Sequence, residues 1–210
     1  MLLQYDRTGF PLLCLPECGL KTHLLPVTKI QMESFLSEPN AFGDTWYEQV
    51  LELNPRIAAH RLNAHNRENL FVTGIQADEA LAFAAWMGGG FDLPTVQEWQ
   101  QIHQGLQDAD LYLPSLKDQL SDSLDEPART LLLKLLDQLR PSSWLELSLM
   151  TQGVVEWVRM EKTSPAVWNG LGAPRSEFYP NAFNPPWETI RPLAHAHRIR
   201  YFGFRLVQRG

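Results

Sequence analysis

Residues 70–102 constrain the fold most, because two helix signatures flank a run of three glycines. From Asp78 onward, apolar side chains recur at the three- and four-residue spacing of one helix face, at Leu81, Ala82, Ala85 and Trp86. Glycine favours the positive backbone angles of a helix C-cap and is unfavourable inside a helix. The glycines at 88–90 therefore predict the end of this helix and a turn.

A second helix start follows the turn directly. Thr95 is an N-cap residue, and Glu98 stands three positions later, where it completes a capping box. Pro94 holds the entering chain extended. The same reasoning makes Thr28 the N-cap of an earlier helix that runs to about Leu36.

Length and charge limit the function classes. The 210 residues are enough for one sizeable core, and we expect a single domain over residues 1–210. The formal net charge of −6 argues against generic nucleic-acid binding. The N-terminal sequence lacks the basic segment and long apolar run of a signal peptide, and no apolar run is long enough to span a membrane, so we expect a cytoplasmic protein.

Two local features leave their role open. Cys14 and Cys18 are either a redox pair or half a metal site, or an ordinary packed thiol and a turn cysteine; no second cysteine pair accompanies them, which favours the second interpretation. Arginines outnumber carboxylates in residues 171–210, so this end of the chain is a candidate for attracting an anionic group.

Four short motifs follow one another along the chain. The run Leu93-Pro94-Thr95-x-x-Glu98-Trp99, after a helix that ends in Trp86-x-Gly88, resembles the Arg-Leu-Pro-Thr-Glu-x-Glu-Trp signature of the formylglycine-generating enzyme (sulfatase-modifying factor) family. The other matches are Pro26-Val27-Thr28 with its helix, Gly153-Val154-Val155-Glu156-Trp157-Val158, and Phe202-Gly203-Phe204-Arg205-Leu206-Val207. Together they span residues 20–208, and they imply an α+β domain with a C-type-lectin-like fold of the formylglycine-generating-enzyme type.

The resemblance also identifies residues 107–148 as a helical insertion. Within it, residues 127–139 form a helix that carries leucines around most of its circumference. Such a helix must be covered, either by its own domain, as a lid, or by a partner protein.

The chain departs from the family at its metal sites. The family's calcium motif has Asn where this chain has Gly153, and Glu156 alone cannot supply the six to eight oxygens that calcium takes. The family's enzymes hold copper with two cysteines in their C-terminal third, but no cysteine follows Cys18 here. We therefore expect no formylglycine-generating activity and no cofactor, although calcium, copper or iron stays possible.

One metal alternative remains. His195 and His197 have the spacing that puts both side chains on one face of a strand, near Glu188. With a third ligand they would hold copper or iron, which keeps a metal-dependent oxidoreductase as the alternative function. The simpler interpretation is a solvated strand face.

The leading hypothesis is a non-catalytic protein-binding module that uses its C-terminal irregular face. The resemblance places this segment over the family's ligand pocket, in a fold shared with C-type lectins and with variable proteins diversified by retroelements. Aromatic residues, Arg and Asn are enriched in recognition surfaces. The candidate binding residues are Trp168, Asn169, Arg175, Glu177, Tyr179, Trp187, Glu188, Arg191, His195, His197 and Arg198. The alternative is that these aromatics only complete the core.

Overall fold

The computed structural model describes residues 2–38, 42–54, 70–123, 126–150, 153–160, 166–172, 198–199 and 201–209. These residues form a mixed α+β structure, which confirms the α+β part of the fold prediction. The histidines and asparagines between residues 60 and 69, which the sequence predicts to be surface or capping residues, lie outside the described residues. In the part of the chain that is described, no helix has the length and apolar character needed to cross a bilayer.

The larger sheet has five antiparallel strands in the order β1-β2-β3-β8-β4. Its strands are β1 (Leu2–Tyr5), β2 (Pro11–Leu15), β3 (Leu20–His23), β4 (Phe91–Asp92) and β8 (Val207–Arg209). A short 3-10 turn at Pro16–Cys18 connects β2 to β3, and Gly19 closes it with φ 64°. The chain therefore places its C-terminal strand β8 between β3 and β4, in the interior of the sheet.

A smaller sheet packs beside it in the order β6-β5-β7. It consists of β5 (Val155–Arg159), β6 (Trp168–Leu171) and β7 (Phe202–Gly203), with β7 parallel to β5. The apolar run from Met150 to Val158 predicts a buried strand, and β5 is shorter than that run because it starts only at Val155. Strand β5 is buried on both faces, from Val155 to Val158, as its apolar sequence predicts.

The predicted helix signals are confirmed. Helix α1 (Lys29–Leu36) is capped by Thr28, α2 covers Asp44–Leu53, and α3 (Ala77–Met87) ends at Gly88, where φ is 73°. Helix α4 (Val96–Asp108) has the full capping box: Glu98 N donates to Thr95 Oγ1 at 3.1 Å, and Thr95 N donates to Glu98 Oε2 at 2.8 Å.

Residues 113–148 contribute α5 (Leu113–Ser123), α6 (Glu126–Leu139) and α7 (Trp144–Ser148). Leu132 and Leu136 of α6 are buried in the same cluster as Leu13 of β2 and Trp99 of α4. The leucine face of α6 is therefore covered by its own chain, as the lid interpretation expects. A second buried cluster joins α1 and α3 to the smaller sheet, with Phe35, Phe83, Trp157 and Phe202 among its members.

Candidate functional site

A buried ion pair fixes the end of the chain to the centre of the smaller sheet. Arg205 and Glu156 both have fully buried side chains, and Arg205 Nη2 lies 2.9 Å from Glu156 Oε1. Arg205 Nε also donates to both carboxylate oxygens, at 3.3 and 3.1 Å. The indole N–H of Trp99 donates to Glu156 Oε2 at 2.9 Å. The matching signature residues Trp99, Glu156 and Arg205 thus meet in one hydrogen-bonded group.

The guanidinium of Arg205 also organises the surrounding backbone. Its Nη1 donates to the carbonyl oxygens of His23 and Leu24, at 2.9 and 2.7 Å, and its Nη2 donates to Ser148 O at 2.7 Å. Strand β3, helix α7 and strand β5 are therefore tied to one side chain. Because every nitrogen of this buried guanidinium has an acceptor, the hydrogen-bonded group has the form of a structural element that holds these segments together.

Glu156 and Gly153 are both enclosed by close contacts. Both carboxylate oxygens of Glu156 already accept hydrogen bonds from Arg205 and Trp99. A Cβ added at Gly153 would lie 2.6 Å from Leu149 O, so no Asn side chain fits at that position. Within the described residues, no three His, Cys, Asp or Glu side chains are grouped in a way that would hold a metal ion.

A second ion pair anchors Arg198, one of the predicted binding residues. Its Nη2 donates to Glu79 Oε1 at 2.6 Å, and its Nη1 donates to Glu79 Oε2 at 2.9 Å and to Gly74 O at 2.7 Å. The indole of Trp46 donates to the same carboxylate at 2.5 Å. Arg198 therefore ties the chain to the start of α3 through three hydrogen bonds, two of them to the Glu79 carboxylate.

Trp168 and Asn169, two further predicted binding residues, lie in β6 with 3% and 1% of their surface exposed. The guanidinium of Arg159 lies 5.4 Å from the ring centroid of Trp168, in cation–π contact. The side-chain nitrogen of Asn169 has no hydrogen-bond partner within the described part of the chain. Close packing surrounds both, since a Cβ at Gly170 would come within 2.3 Å of the Phe202 ring.

The remaining candidates fall outside the described residues. They are Arg175, Glu177, Tyr179, Trp187, Glu188, Arg191, His195 and His197. What the structure describes is the frame at both ends of residues 173–197. At the first end, Gly172 has φ 94° and leaves no space for a side chain, because a Cβ would lie 2.9 Å from Met150 O. At the other end stands the Arg198 anchor.

Sequence reasoning missed a third ionic cluster, between α4 and the larger sheet. Arg209 donates to Glu98 at 2.7 and 2.9 Å and to Asp92 at 2.9 Å, and Arg159 lies 3.0 Å from Asp92. Burial alone raises the pKa of Glu98, but hydrogen bonds from Arg209 and Thr95 outweigh it and lower the pKa to about 2. Arg209 has its own pKa raised by the same contacts.

These pairs correct the expectation that the C-terminal arginines attract an anion. Among the described residues of 171–210, each of Arg198, Arg205 and Arg209 is paired with a carboxylate of the same chain. The carboxylates that neutralise these arginines come from distant segments of the chain. A count of charges within residues 171–210 therefore does not include them. The expectation still applies to Arg175, Arg191 and Arg200, which lie outside the described residues.

The cysteines occupy different settings. Cys14 lies in β2 and Cys18 in the turn that follows, and both are free and half-buried. Cys18 packs against the core that contains Leu13, and its Sγ lies 3.6 Å from Leu15 O. This matches a strand thiol and a turn cysteine.

No family model matches the chain, and no curated protein matches it.

Proposed function

We propose that this chain is a non-catalytic binding module of the formylglycine-generating-enzyme type of C-type-lectin-like fold, which recognises a protein partner through residues 168–198. The order of the four motifs supports the family assignment. Three of these motifs are also joined by hydrogen bonds, through Trp99, Glu156 and Arg205. Absence of any cysteine after Cys18 supports the non-catalytic assignment, since the family's copper chemistry needs two.

One observation supports placing the binding site in residues 173–197: this segment of the sequence lies between two anchored positions. Gly172 has φ 94° and no room for a side chain beside Met150 O and Val154 O, and Arg198 is held by hydrogen bonds to Glu79 and Gly74. A segment mounted on a rigid frame at both ends is the usual setting of a binding loop. By sequence it also carries the aromatic and arginine side chains typical of recognition surfaces.

The role of each candidate follows from this arrangement. Arg198 serves as an anchor at one end of the segment, and the buried Trp168 and Asn169 lie in β6, which leads to Gly172 at the other end. Direct recognition is then assigned to the segment between them, with Arg175 and Trp187 as the main contact residues. Arginine supplies directed, charge-assisted hydrogen bonds, and tryptophan supplies a large apolar contact area.

The test is affinity capture from a lysate of the native cell, followed by mass spectrometry of stoichiometric partners. We expect Arg175→Ala with Trp187→Ala to lose the partner while thermal unfolding stays unchanged. Arg140→Ala, at an exposed arginine beyond α6, is the matched control and should retain it. Equal capture by the double variant would refute this siting.

A different outcome would favour the alternative function. If no partner is captured and the purified protein holds stoichiometric copper or iron that His195→Ala with His197→Ala removes, the chain is a metal-dependent oxidoreductase instead. Metal analysis of the same preparations distinguishes the two results, because the binding-module proposal requires no bound metal.

A further inference from the structure

A solvent-facing groove lies between α4 and the turn that joins β2 to β3. It consists of two adjoining recesses of about 510 and 430 Å³ that share Cys18 and Gln101 as lining residues. We call it the α4 groove. Its volume lies in the range of ligand-binding clefts. None of its lining residues belongs to residues 168–198, so the groove shares no lining residue with the proposed binding face.

One wall of the α4 groove is a stripe of amide side chains. Gln97, Gln101 and Gln104 are exposed and lie on one face of α4, at three- and four-residue spacing. Each amide has two N–H donors and an acceptor oxygen. Gln104 Nε2 donates one of its N–H groups to Asp108 Oδ2 at 2.8 Å, which leaves its other N–H and its oxygen for a ligand. Successive amides are separated by about 4.5 to 6 Å along the helix axis. An extended peptide repeats its backbone groups about every 6.6 Å on one side, a spacing that flexible glutamine side chains can match.

The charge of the groove has one sign. Among its described lining residues none is a lysine or an arginine, and the acidic ones are Glu17, Glu98 and Asp108. Glu98 is neutralised by Arg209 at one end. Glu17 and Asp108 are exposed at the other end, where α4 also terminates and its carbonyl groups add partial negative charge. Glu17 and Asp108 therefore create a negative potential at this end of the groove.

We propose that the α4 groove binds an extended, basic peptide segment of a partner protein. The glutamine stripe hydrogen-bonds the peptide backbone, and Glu17 and Asp108 receive a lysine or arginine side chain. The stripe from Gln97 to Asp108 spans about 16 Å, enough for roughly five extended residues. This inference is independent of the proposed function, because the groove is built entirely from described residues outside the C-terminal face.

The first experiment uses fluorescence anisotropy with a labelled hexapeptide of alternating lysine and serine. We expect it to bind the full chain with an affinity that falls as salt rises, and a matched glutamate–serine hexapeptide to bind at least tenfold more weakly. Gln101→Ala should weaken binding about fivefold, the loss of one hydrogen bond. Gln107→Ala, an exposed amide of α4 outside the groove, should leave it unchanged.

Two further experiments separate the contribution of charge to peptide binding from the contribution of backbone hydrogen bonds. Glu17→Gln with Asp108→Asn should weaken the lysine–serine peptide by roughly two- to fivefold and flatten its salt dependence. Spermine, a polycation without a peptide backbone, should compete poorly. Full displacement by spermine together with unchanged binding by Gln101→Ala would overturn the peptide proposal, as would equal binding of the two hexapeptides.

Cys18 reports occupancy at the centre of the groove. In a Cys14→Ser variant that keeps the wild-type unfolding temperature, Cys18 is the remaining thiol. Saturating lysine–serine peptide should slow its alkylation by iodoacetamide at least fivefold, since the peptide lies over the shared lining residue. An unchanged alkylation rate at saturating peptide would place the peptide elsewhere and overturn the siting.

Discussion

Removal of the carboxylate of Glu156 tests the central ion pair most sharply. In Glu156→Gln the amide oxygen still accepts a hydrogen bond, but Arg205 loses its counter-charge inside a fully buried site. The three backbone carbonyls that Arg205 contacts remain as acceptors and carry only partial charges. Breaking one side of a buried ion pair costs about 3–5 kcal/mol. Since domains are stable by about 5–15 kcal/mol, this loss is a large fraction of the total.

Urea unfolding measures this loss. With a denaturant slope of about 2–3 kcal/mol/M, a cost of this size lowers the urea midpoint by roughly 1–2.5 M. The matched control is Glu38→Gln, which removes the carboxylate of a pair with Arg7 at 3.8 Å in which both side chains are about half exposed. Exposed pairs contribute about 0–1 kcal/mol, so the control should stay near the wild-type midpoint.

A double variant identifies the cause. Glu156→Leu with Arg205→Met removes both charges, but it also leaves the Trp99 indole N–H and the carbonyl oxygens of His23, Leu24 and Ser148 without these partners, so it should restore only part of the lost stability. A midpoint for Glu156→Gln as close to wild type as that of Glu38→Gln would refute the claim that Arg205 needs Glu156 as its counter-charge in a buried site. A double variant as unstable as Glu156→Gln would show that losing those hydrogen bonds costs as much as leaving the charge unpaired.

Three further predictions concern individual elements. Thr95→Ala removes the N-cap of α4 and should lower the free energy of unfolding by about 0.5–2 kcal/mol in urea titrations, whereas an unaltered midpoint would contradict the capping role. Leu132→Ala should cost about 2–5 kcal/mol if α6 is a lid on its own core, and near-wild-type stability would contradict that burial. The pKa of Glu98, about 2 in the folded protein, lies below its unfolded value, so its stabilisation is complete above about pH 4.3 and is lost as the pH falls toward 2. Glu98→Gln should therefore flatten the fall in urea midpoint between pH 5 and 2, and parallel curves for the variant and wild type would contradict this origin.

Local features of the fold were predictable because their physics is local. The capping boxes at Thr28 and Thr95 depend on residues only three positions apart, and the structure confirms both. The helix end at Gly88 follows from glycine's access to positive φ. The apolar run at Val155–Val158 predicted a buried strand, although the strand starts later than the sequence suggested.

The ion pairs that define the frame were not predictable in the same way. Arg205 and Glu156 are separated by 49 positions, and Arg198 and Glu79 by 119. Nothing in the local sequence distinguishes these arginines from exposed ones, so the C-terminal excess of arginine suggested an anion site instead. The α4 groove escaped prediction for a related reason, since glutamines along one helix face indicate solvent exposure until the opposing turn is placed beside them.

The most direct test of the binding-module proposal replaces residues 173–197 with a glycine–serine linker of equal length. The frame residues Gly172 and Arg198 stay in place, and thermal unfolding confirms that the two sheets remain folded. We predict that affinity capture from the native lysate then loses the stoichiometric partner that wild type retains. Equal capture of the same partner by the folded replacement variant would contradict the assignment of recognition to this face.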